Sequence, residues 1–257
     1  MTSLSTSEID QYESDGILIP STPLSNDVLA DLRDAVDSFL SELETDNADF
    51  IPNVLDLQPD WIRFAQQPEI LGPVTDLIGD NVILWGSGLF CKSATGGKAT
   101  PWHQDGQYWP IRPLATVSAW IAFDPVDTKN GCLRVIPGSH KPQKLLQHAH
   151  NDSNNIILNQ ELPGTEWQTN KPRDVQLKPG QFSLHDVYMI HGANPNNSGR
   201  RRGGLVFRYM PASSIYDRDL ARRQAAQMGL SSLVDRKLHL VSGVDVSGKN
   251  DIFELPG

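Results

Sequence analysis

A histidine and an aspartate stand two residues apart in the stretch Trp102-His103-Gln104-Asp105. Imidazole nitrogens and carboxylate oxygens both bind metal ions. Because residues i and i+2 of an extended strand point to the same face, His103 and Asp105 are predicted to reach one ion together. The pair is half of a metal site, so a third ligand has to come from elsewhere in the chain.

The third ligand is sought among the remaining histidines. His185 and His191 lie in one predicted strand, residues 181–191, where a period of two places both side chains on the same face. His191 is favoured because it ends this strand and is followed by Gly192 and an Asn-rich loop, which leaves coordination positions open. His185 is then predicted to lie deeper, as a contact to the substrate.

Two imidazoles and one carboxylate form the ligand set that non-haem Fe(II) enzymes use with O2. The same ligand types also serve catalytic zinc, so a zinc-dependent hydrolase is the chemical alternative. A jelly-roll binding module without catalytic activity is the third hypothesis, in which the three side chains come together by coincidence.

Arg202 follows His191 by eleven residues and leads into a predicted strand. A guanidinium is the natural bidentate partner of a carboxylate, so Arg202 is predicted to hold one end of a dicarboxylate whose other end binds the metal. Its neighbours Arg200 and Arg201 are predicted to be solvated. Arg208, on the same face of the strand, is the competing candidate.

The elements that position these residues fit one domain over residues 1–257, a length that supports a large core. The net charge of -9 and the pI near 5.2 argue against nucleic acid and anionic membranes as partners and leave a small-molecule substrate. Two cysteines are too few for a disulfide framework. Without an apolar leader or a membrane-spanning segment, the protein is predicted to be cytoplasmic and soluble. The sequence carries no signal of an oligomeric state.

Hydrophobic spacing predicts helices in the N-terminal third and short strands after it. The helices are predicted to begin near Ser7, to begin at residues 25–27, and to span 68–78 with an interruption at Gly72-Pro73. A polar segment, residues 143–173, is predicted to be a lid over the site, and a helical tail is predicted from about residue 214. The predicted strands, typical of a β-sandwich or barrel, are 82–85, 88–91, 116–123, 132–136, 181–190 and 204–210.

Several ordered motifs resemble the phytanoyl-CoA dioxygenase family, over about residues 8–211. They are YESDGIL at residues 12–18, TPWHQDGQYWP at 100–110, SAWIA at 118–122, NGCLRVIPGSHK at 130–141, the pair His191-Gly192, and Arg202.

The resemblance implies a mainly β fold with flanking helices, a double-stranded β-helix or jelly roll. It also implies Fe(II) held by His103, Asp105 and His191, with O2 as the oxidant and 2-oxoglutarate as cosubstrate. The distal carboxylate of 2-oxoglutarate is expected on Arg202.

Further pocket residues follow from motif positions in the family. Gln104 and Trp120 are expected to line the metal or cosubstrate pocket. Where the family often has a serine two residues after the last histidine ligand, this chain has Ala193. A hydroxyl contact to the cosubstrate is therefore expected either to be missing or to be supplied by Ser198.

The expected activity is that of a 2-oxoglutarate-dependent dioxygenase, which hydroxylates its substrate and releases succinate and CO2. Gln107, Tyr108, Trp109 and His185, together with the polar lid, favour a small polar or zwitterionic substrate, such as an amino acid or an aminophosphonate like 2-aminoethylphosphonate. The alternative is an acyl-CoA or another lipid-like substrate, which the lack of a basic cradle for CoA phosphates disfavours.

Overall fold

The computed structural model describes residues 3–43, 48–228 and 233–253. The helices are α1 (Thr6–Asp15), α2 (Asn26–Glu42), α3 (Val54–Leu57), α4 (Ile62–Ala65), α5 (Pro68–Ile78) and α6 (Arg218–Met228). The strands are β1 (Ile17–Leu18), β2 (Ile51–Pro52), β3 (Val82–Lys92), β4 (Thr100–Gln104), β5 (Ile111–Arg112), β6 (Val117–Ala122), β7 (Leu133–Val135), β8 (Ala149–His150), β9 (Gln160–Glu161), β10 (Arg173–Val175), β11 (Phe182–Asp186), β12 (Ile190–Ala193), β13 (Arg202–Pro211), β14 (Ile215–Tyr216) and β15 (His239–Ser242).

Two antiparallel sheets pack against each other. The major sheet has the order β1-β11-β6-β13-β3-β15, with β2 also paired to β3, and the minor sheet has the order β10-β7-β12-β4. Side chains from both sheets, including Trp120 and Val206 from the major one and Val135 from the minor one, share one buried cluster. The predicted fold class, a mainly β jelly roll with flanking helices, is confirmed.

Strand β13 shows how the major sheet separates its two faces. Leu205 and Phe207 point outward into a core that α2 and α5 cover, whereas Val206 and Arg208 point inward between the sheets. Burial of the outer face fixes the register of the strand, since a shift by one residue would exchange the two faces. The inner face is therefore free to carry functional side chains.

The predicted helix starts are nearly right, and one predicted interruption is wrong. Ser5 rather than Ser7 caps α1, in a capping box with Glu8, and Ser25 caps α2 as expected. Helix α5 continues through Pro73. A proline removes a single backbone hydrogen bond there, and the buried face of α5 keeps the helix intact.

The predicted strand over residues 181–191 is in fact two strands in different sheets. The chain turns at Asp186, whose carboxylate accepts a hydrogen bond from the backbone N–H of Tyr188 at 2.8 Å and whose carbonyl accepts one from Met189 at 3.0 Å. This turn moves the chain from β11 in the major sheet to β12 in the minor sheet. Conversely, the predicted strands 82–85 and 88–91 are both parts of β3.

The helical tail expected from about residue 214 is only partly present. Helix α6 ends at Met228, residues 229–232 and 254–257 lie outside the described part, and residues 239–242 form β15 at the edge of the major sheet. Pairing with β3 satisfies the backbone groups of this segment and overrides its local helical pattern. None of the described helices has the length and apolar character needed to cross a membrane.

Candidate metal centre and its cavity

The three predicted ligands meet between the two sheets. His103 and His191 are cross-strand partners in β4 and β12, and Asp105 follows β4 at the start of a short 3-10 turn. Oδ1 of Asp105 lies 3.4 Å from Nε2 of His103 and 3.9 Å from Nε2 of His191. One ligand atom from each residue falls within 4.8 Å of the others, and all three residues are buried. This spacing suits one shared ion.

Backbone carbonyls fix the orientation of both imidazoles. Nδ1 of His103 lies 2.8 Å from the carbonyl of Pro101, and Nδ1 of His191 lies 3.0 Å from the carbonyl of Met189. Since a carbonyl only accepts hydrogen bonds, each Nδ1 carries the proton and each Nε2 presents a lone pair towards Asp105. Such outer hydrogen bonds are typical of histidines that bind metals. The residues therefore fit a divalent ion.

The protonation states also suit a metal site. Burial, together with repulsion from His103, lowers the pKa of His191 to about 3. Burial alone would raise the pKa of Asp105, but the close approach of His103 and His185 and attraction from Arg208 outweigh it and hold that pKa well below its usual range. A neutral imidazole and an ionised carboxylate are the forms that bind metal.

A cavity of about 390 Å³ opens beside the three ligands. This volume lies near the lower end of the range for small-molecule pockets. Of the residues predicted from sequence, Trp120, Tyr108, Trp109 and His185 line it together with the three ligands. Aromatic rings form much of the remaining wall, contributed by Phe50, Trp85 and Phe90.

His185 faces the metal site from the opposite sheet. Its Nε2 lies 3.6 Å from Oδ2 of Asp105, and its ring centroid lies 5.0 Å from that of His191. The two histidines share the cavity, although the turn at Asp186 places them on different strands rather than on one face of a single strand.

Gln104 does not line the cavity, which corrects the expectation from the family motif. Its side chain lies on the opposite face of β4 from His103, donates to the carbonyls of Lys144 at 3.0 Å and Tyr188 at 2.9 Å, and accepts from the N–H of Leu146 at 2.8 Å. Gln104 therefore anchors the start of the segment 143–173.

Ser198 and Gln107 are also absent from the described cavity wall. The hydroxyl of Ser198 donates to Oδ1 of Asn196 at 2.8 Å, inside a turn before β13. The backbone carbonyl of Gln107 accepts a bond of 3.5 Å from Gln224 on α6. The structure thus gives Ser198 a role in the turn, away from the described cavity wall.

The segment 143–173 supplies one wall of the cavity through Ile157, Leu158 and Asn159. Backbone hydrogen bonds join it to the metal-binding strand, from Ile157 to the carbonyl of Ala99 at 3.0 Å and from Leu162 to that of Trp102 at 2.8 Å. It also contains the short pair β8 and β9. The segment is therefore in the position that a lid requires.

Arg202 is buried at the start of β13, opposite Lys92 of β3. Its guanidinium lies over the ring of Trp120, 5.1 Å from the centroid, and no carboxylate among the described residues lies within ion-pair distance. Trp120 lines the cavity, whereas Arg202 itself is not among the lining residues. Burial lowers the pKa of Arg202 to about 10.

Lys92 is a charged residue of this region that sequence reasoning missed. Its Nζ donates to the carbonyl of Asn194 at 2.6 Å, and burial together with repulsion from Arg202 lowers its pKa to about 6. The position of Lys92 at the end of an apolar strand was the sequence feature that could have identified it as a buried charge. Arg236, which lines the cavity, was also missed, because nothing in the tail sequence connects it to the site.

Comparison with known proteins identifies relatives of this arrangement. The sequence model of a family described as "Phytanoyl-CoA dioxygenase (PhyH)" matches residues 12–204. The peroxisomal phytanoyl-CoA dioxygenase of Bos taurus is 30% identical over 192 residues, covering 70% of this chain and 57% of that protein.

Two further matches are a sequence relative and a solved structure. A probable alpha-ketoglutarate-dependent hypophosphite dioxygenase of Stutzerimonas stutzeri is 27% identical over 154 residues, covering 58% of this chain and 52% of that protein. The crystal structure of EctD from S. alaskensis with 2-oxoglutarate and 5-hydroxyectoine superposes with a TM-score of 0.67 at 22% identity, covering 82% of this chain and 77% of that one, and shows the shared fold. The chain spans about half the length of the curated relatives it matches.

Proposed function

The chain belongs to the phytanoyl-CoA dioxygenase family, and from that premise we propose that it is an Fe(II)- and 2-oxoglutarate-dependent dioxygenase that hydroxylates a small polar or zwitterionic metabolite. Amino acids and aminophosphonates, such as 2-aminoethylphosphonate, are the favoured substrates. The observation that carries the proposal is the meeting of His103, Asp105 and His191, with both imidazoles fixed by backbone carbonyls.

Bound Fe(II) supplies the O2 chemistry, in which 2-oxoglutarate is oxidised to succinate and CO2 and one oxygen atom enters a C–H bond of the substrate. The protein supplies position and a water-poor environment. His103, Asp105 and His191 leave the remaining coordination positions of the ion to cosubstrate and O2. Aromatic side chains form much of the cavity wall on this side of the site.

Arg202 is proposed to hold the distal carboxylate of 2-oxoglutarate, with Trp120 beside it. Its burial and its lack of a carboxylate partner among the described residues support this role, because an unpaired buried charge is costly until an anion binds. Lys92, directly opposite Arg202, adds a second donor at the same end.

The cavity supports a small substrate. Its volume of about 390 Å³ has to hold cosubstrate and substrate together. Tyr108, Trp109 and His185 are the proposed substrate contacts among the predicted residues. The relative from Stutzerimonas, named for hypophosphite, agrees with a small polar compound. The names of the animal relatives favour the alternative, an acyl-CoA or other lipid-like substrate.

The test is aerobic incubation of the protein with Fe(II), 2-oxoglutarate and a metabolite panel that includes amino acids, aminophosphonates and acyl-CoAs. We expect one panel member to gain one oxygen atom by mass spectrometry, with matching succinate release, and neither change without Fe(II) or 2-oxoglutarate. Turnover of acyl-CoAs alone would favour the lipid-like alternative. Zinc-dependent turnover without O2 would identify a hydrolase instead.

A further inference from the structure

A row of side chains crosses the inner face of the major sheet at the level of the metal site. Arg208 on β13 is paired with Ser118 on β6 on one side and with Gly86 on β3 on the other, and Ser118 is paired with His185 on β11. Since His185 lies 3.6 Å from Asp105, this row runs from a proposed metal ligand to the guanidinium of Arg208.

A second arginine joins the row from the tail. A Cβ atom placed on Gly86 would lie 3.4 Å from Nη1 of Arg236 and 3.6 Å from Cδ of Arg208. Both side chains therefore run over the same bare glycine. Arg208 and Arg236 both line the cavity. Nη1 of Arg208 itself lies over the next inward-facing glycine of β3, 3.5 Å from a Cβ atom placed on Gly88.

Two tryptophans hold these guanidinium groups in place. The Cζ atom of Arg208 lies 5.5 Å from the ring centroid of Trp109, and that of Arg236 lies 5.8 Å from the ring centroid of Trp85. The two indoles are themselves packed edge to face, with centroids 4.6 Å apart. Contacts with aromatic faces orient an arginine without neutralising its charge.

Neither arginine forms an ion pair within the part of the chain that the structure describes. The Nε atoms of Arg208 and Arg236 are buried without a hydrogen-bond acceptor, and within the described ranges no carboxylate reaches ion-pair distance of either residue. Arg236 interacts with the Tyr216 hydroxyl and is attracted by Asp56 from beyond that distance. By contrast, Arg200 at the surface forms an ion pair with Asp127 at 2.8 Å.

The charge balance of the cavity points to an anionic substrate. Asp105 is the one carboxylate among the described residues that line the cavity, and it is a proposed metal ligand. Asp105 and a dianionic cosubstrate offset the charges of Fe(II) and Arg202. The charges of Arg208 and Arg236 remain, and an ammonium group of a substrate finds no free carboxylate among these lining residues.

We propose that Arg208 and Arg236 form an oxyanion-binding subsite, so that the substrate is held by a phosphonate or carboxylate group and does not require an amine. The inference rests on the proposed function and narrows its substrate class from small polar compounds to oxyanions. Charge-assisted, bidentate hydrogen bonds to two guanidinium groups give such a group both affinity and orientation.

The test is anaerobic calorimetry on the full chain loaded with Fe(II). Binding of 2-oxoglutarate is measured first, and its absence would overturn the proposed function. Ethylphosphonate, 2-aminoethylphosphonate, propionate, β-alanine and ethanolamine are then titrated into the cosubstrate complex. We expect ethylphosphonate or propionate to bind within about threefold of its amine-bearing counterpart, 2-aminoethylphosphonate or β-alanine, and ethanolamine not to bind.

Variants locate the subsite. Arg208→Met and Arg236→Met are each expected to weaken oxyanion binding at least about tenfold and to leave the affinity for 2-oxoglutarate unchanged. Arg208→Lys keeps the positive charge but loses the bidentate geometry of the guanidinium. We expect it to fold and to show an intermediate loss of oxyanion affinity. Arg200→Met is the matched surface control and should bind like wild type.

Three results would overturn the inference while leaving the proposed function in place. These are binding of 2-oxoglutarate with no binding of any oxyanion, tight binding of ethanolamine, and a loss of 2-oxoglutarate affinity in Arg208→Met with oxyanion binding intact. The last result would make Arg208 the cosubstrate anchor instead.

Discussion

His103 and His191 are directly paired across β4 and β12, and their imidazole rings lie 4.2 Å apart. A single strand pairing therefore places both nitrogen ligands. Asp105 needs only to follow β4 into its turn to complete the set. The metal site depends on the register of the minor sheet more than on any loop.

Replacement of Asp105 by alanine removes the one oxygen ligand of this set. We expect Asp105→Ala to lower Fe(II) affinity by more than about 100-fold and to abolish substrate-dependent succinate formation, since loss of an outer-sphere partner alone costs 10–100-fold. Metal titration and a succinate assay measure the two effects. Asp152→Ala, an exposed carboxylate in the segment 143–173, is the control. Retained turnover would remove Asp105 from the ligand set.

Arg200 and Arg202, separated by one residue, allow a matched comparison. Arg202 is buried without a carboxylate among the described residues, whereas Arg200 is exposed and paired with Asp127. Arg202→Met is expected to raise the KM for 2-oxoglutarate by roughly 10- to 100-fold, because a charge-assisted bond is lost. Arg200→Met should leave it unchanged. Equal KM values for Arg202→Met and wild type would refute the assignment.

Replacement of Gln104 tests whether its side-chain hydrogen bonds hold the segment 143–173 in place. Gln104→Ala leaves two carbonyls and one N–H without their partners, which should lower the free energy of unfolding by about 1–3 kcal/mol. Urea unfolding measures this, and limited proteolysis should show faster cleavage within the segment. Gln107→Ala serves as the comparison. A variant with unchanged stability and cleavage would show that other contacts hold the segment.

Lys92 should make stability depend on pH. Burial lowers its pKa in the folded protein to about 6, against an ordinary value of 10.5. Between these values the unfolded chain binds a proton that the folded protein lacks, so stability rises with pH by up to about 1.4 kcal/mol per unit. Below about pH 6 both states are protonated, so the slope vanishes and the full cost of burying the ammonium group opposes folding.

The comparison is between wild type and Lys92→Met in urea at about pH 6.5 and pH 8.5. We expect the wild type to gain stability relative to the variant on going to the higher pH. Lys178→Met, an exposed lysine, should follow the wild type. Parallel pH curves for wild type and Lys92→Met would contradict the low pKa.

Local periodicity predicted that His103 and Asp105 lie together, and long-range pairing was not predictable. His103 lies in β4 and Asp105 follows it in a 3-10 turn, and the two side chains still meet, while Gln104 between them lies on the opposite face. His185 and His191 do share the cavity, but the turn at Asp186 puts them on opposing sheets.

The positions of residues that reach the site from distant segments could not be predicted from the local sequence. Arg236 reaches the cavity because β15 pairs with the edge of β3 and returns the tail to the sheet. Lys92 gains its role from its partner Arg202, which is more than a hundred residues away. The helix boundaries, by contrast, followed from capping residues such as Ser25.

Isotope labelling tests the central claim most directly. The protein, loaded with Fe(II) and supplied with 2-oxoglutarate, is given oxygen-18 gas and the panel member that turns over. We predict one labelled oxygen in succinate and one in the hydroxylated product, and neither label with Asp105→Ala. Product oxygen derived from water, or turnover that continues without O2, would contradict the account.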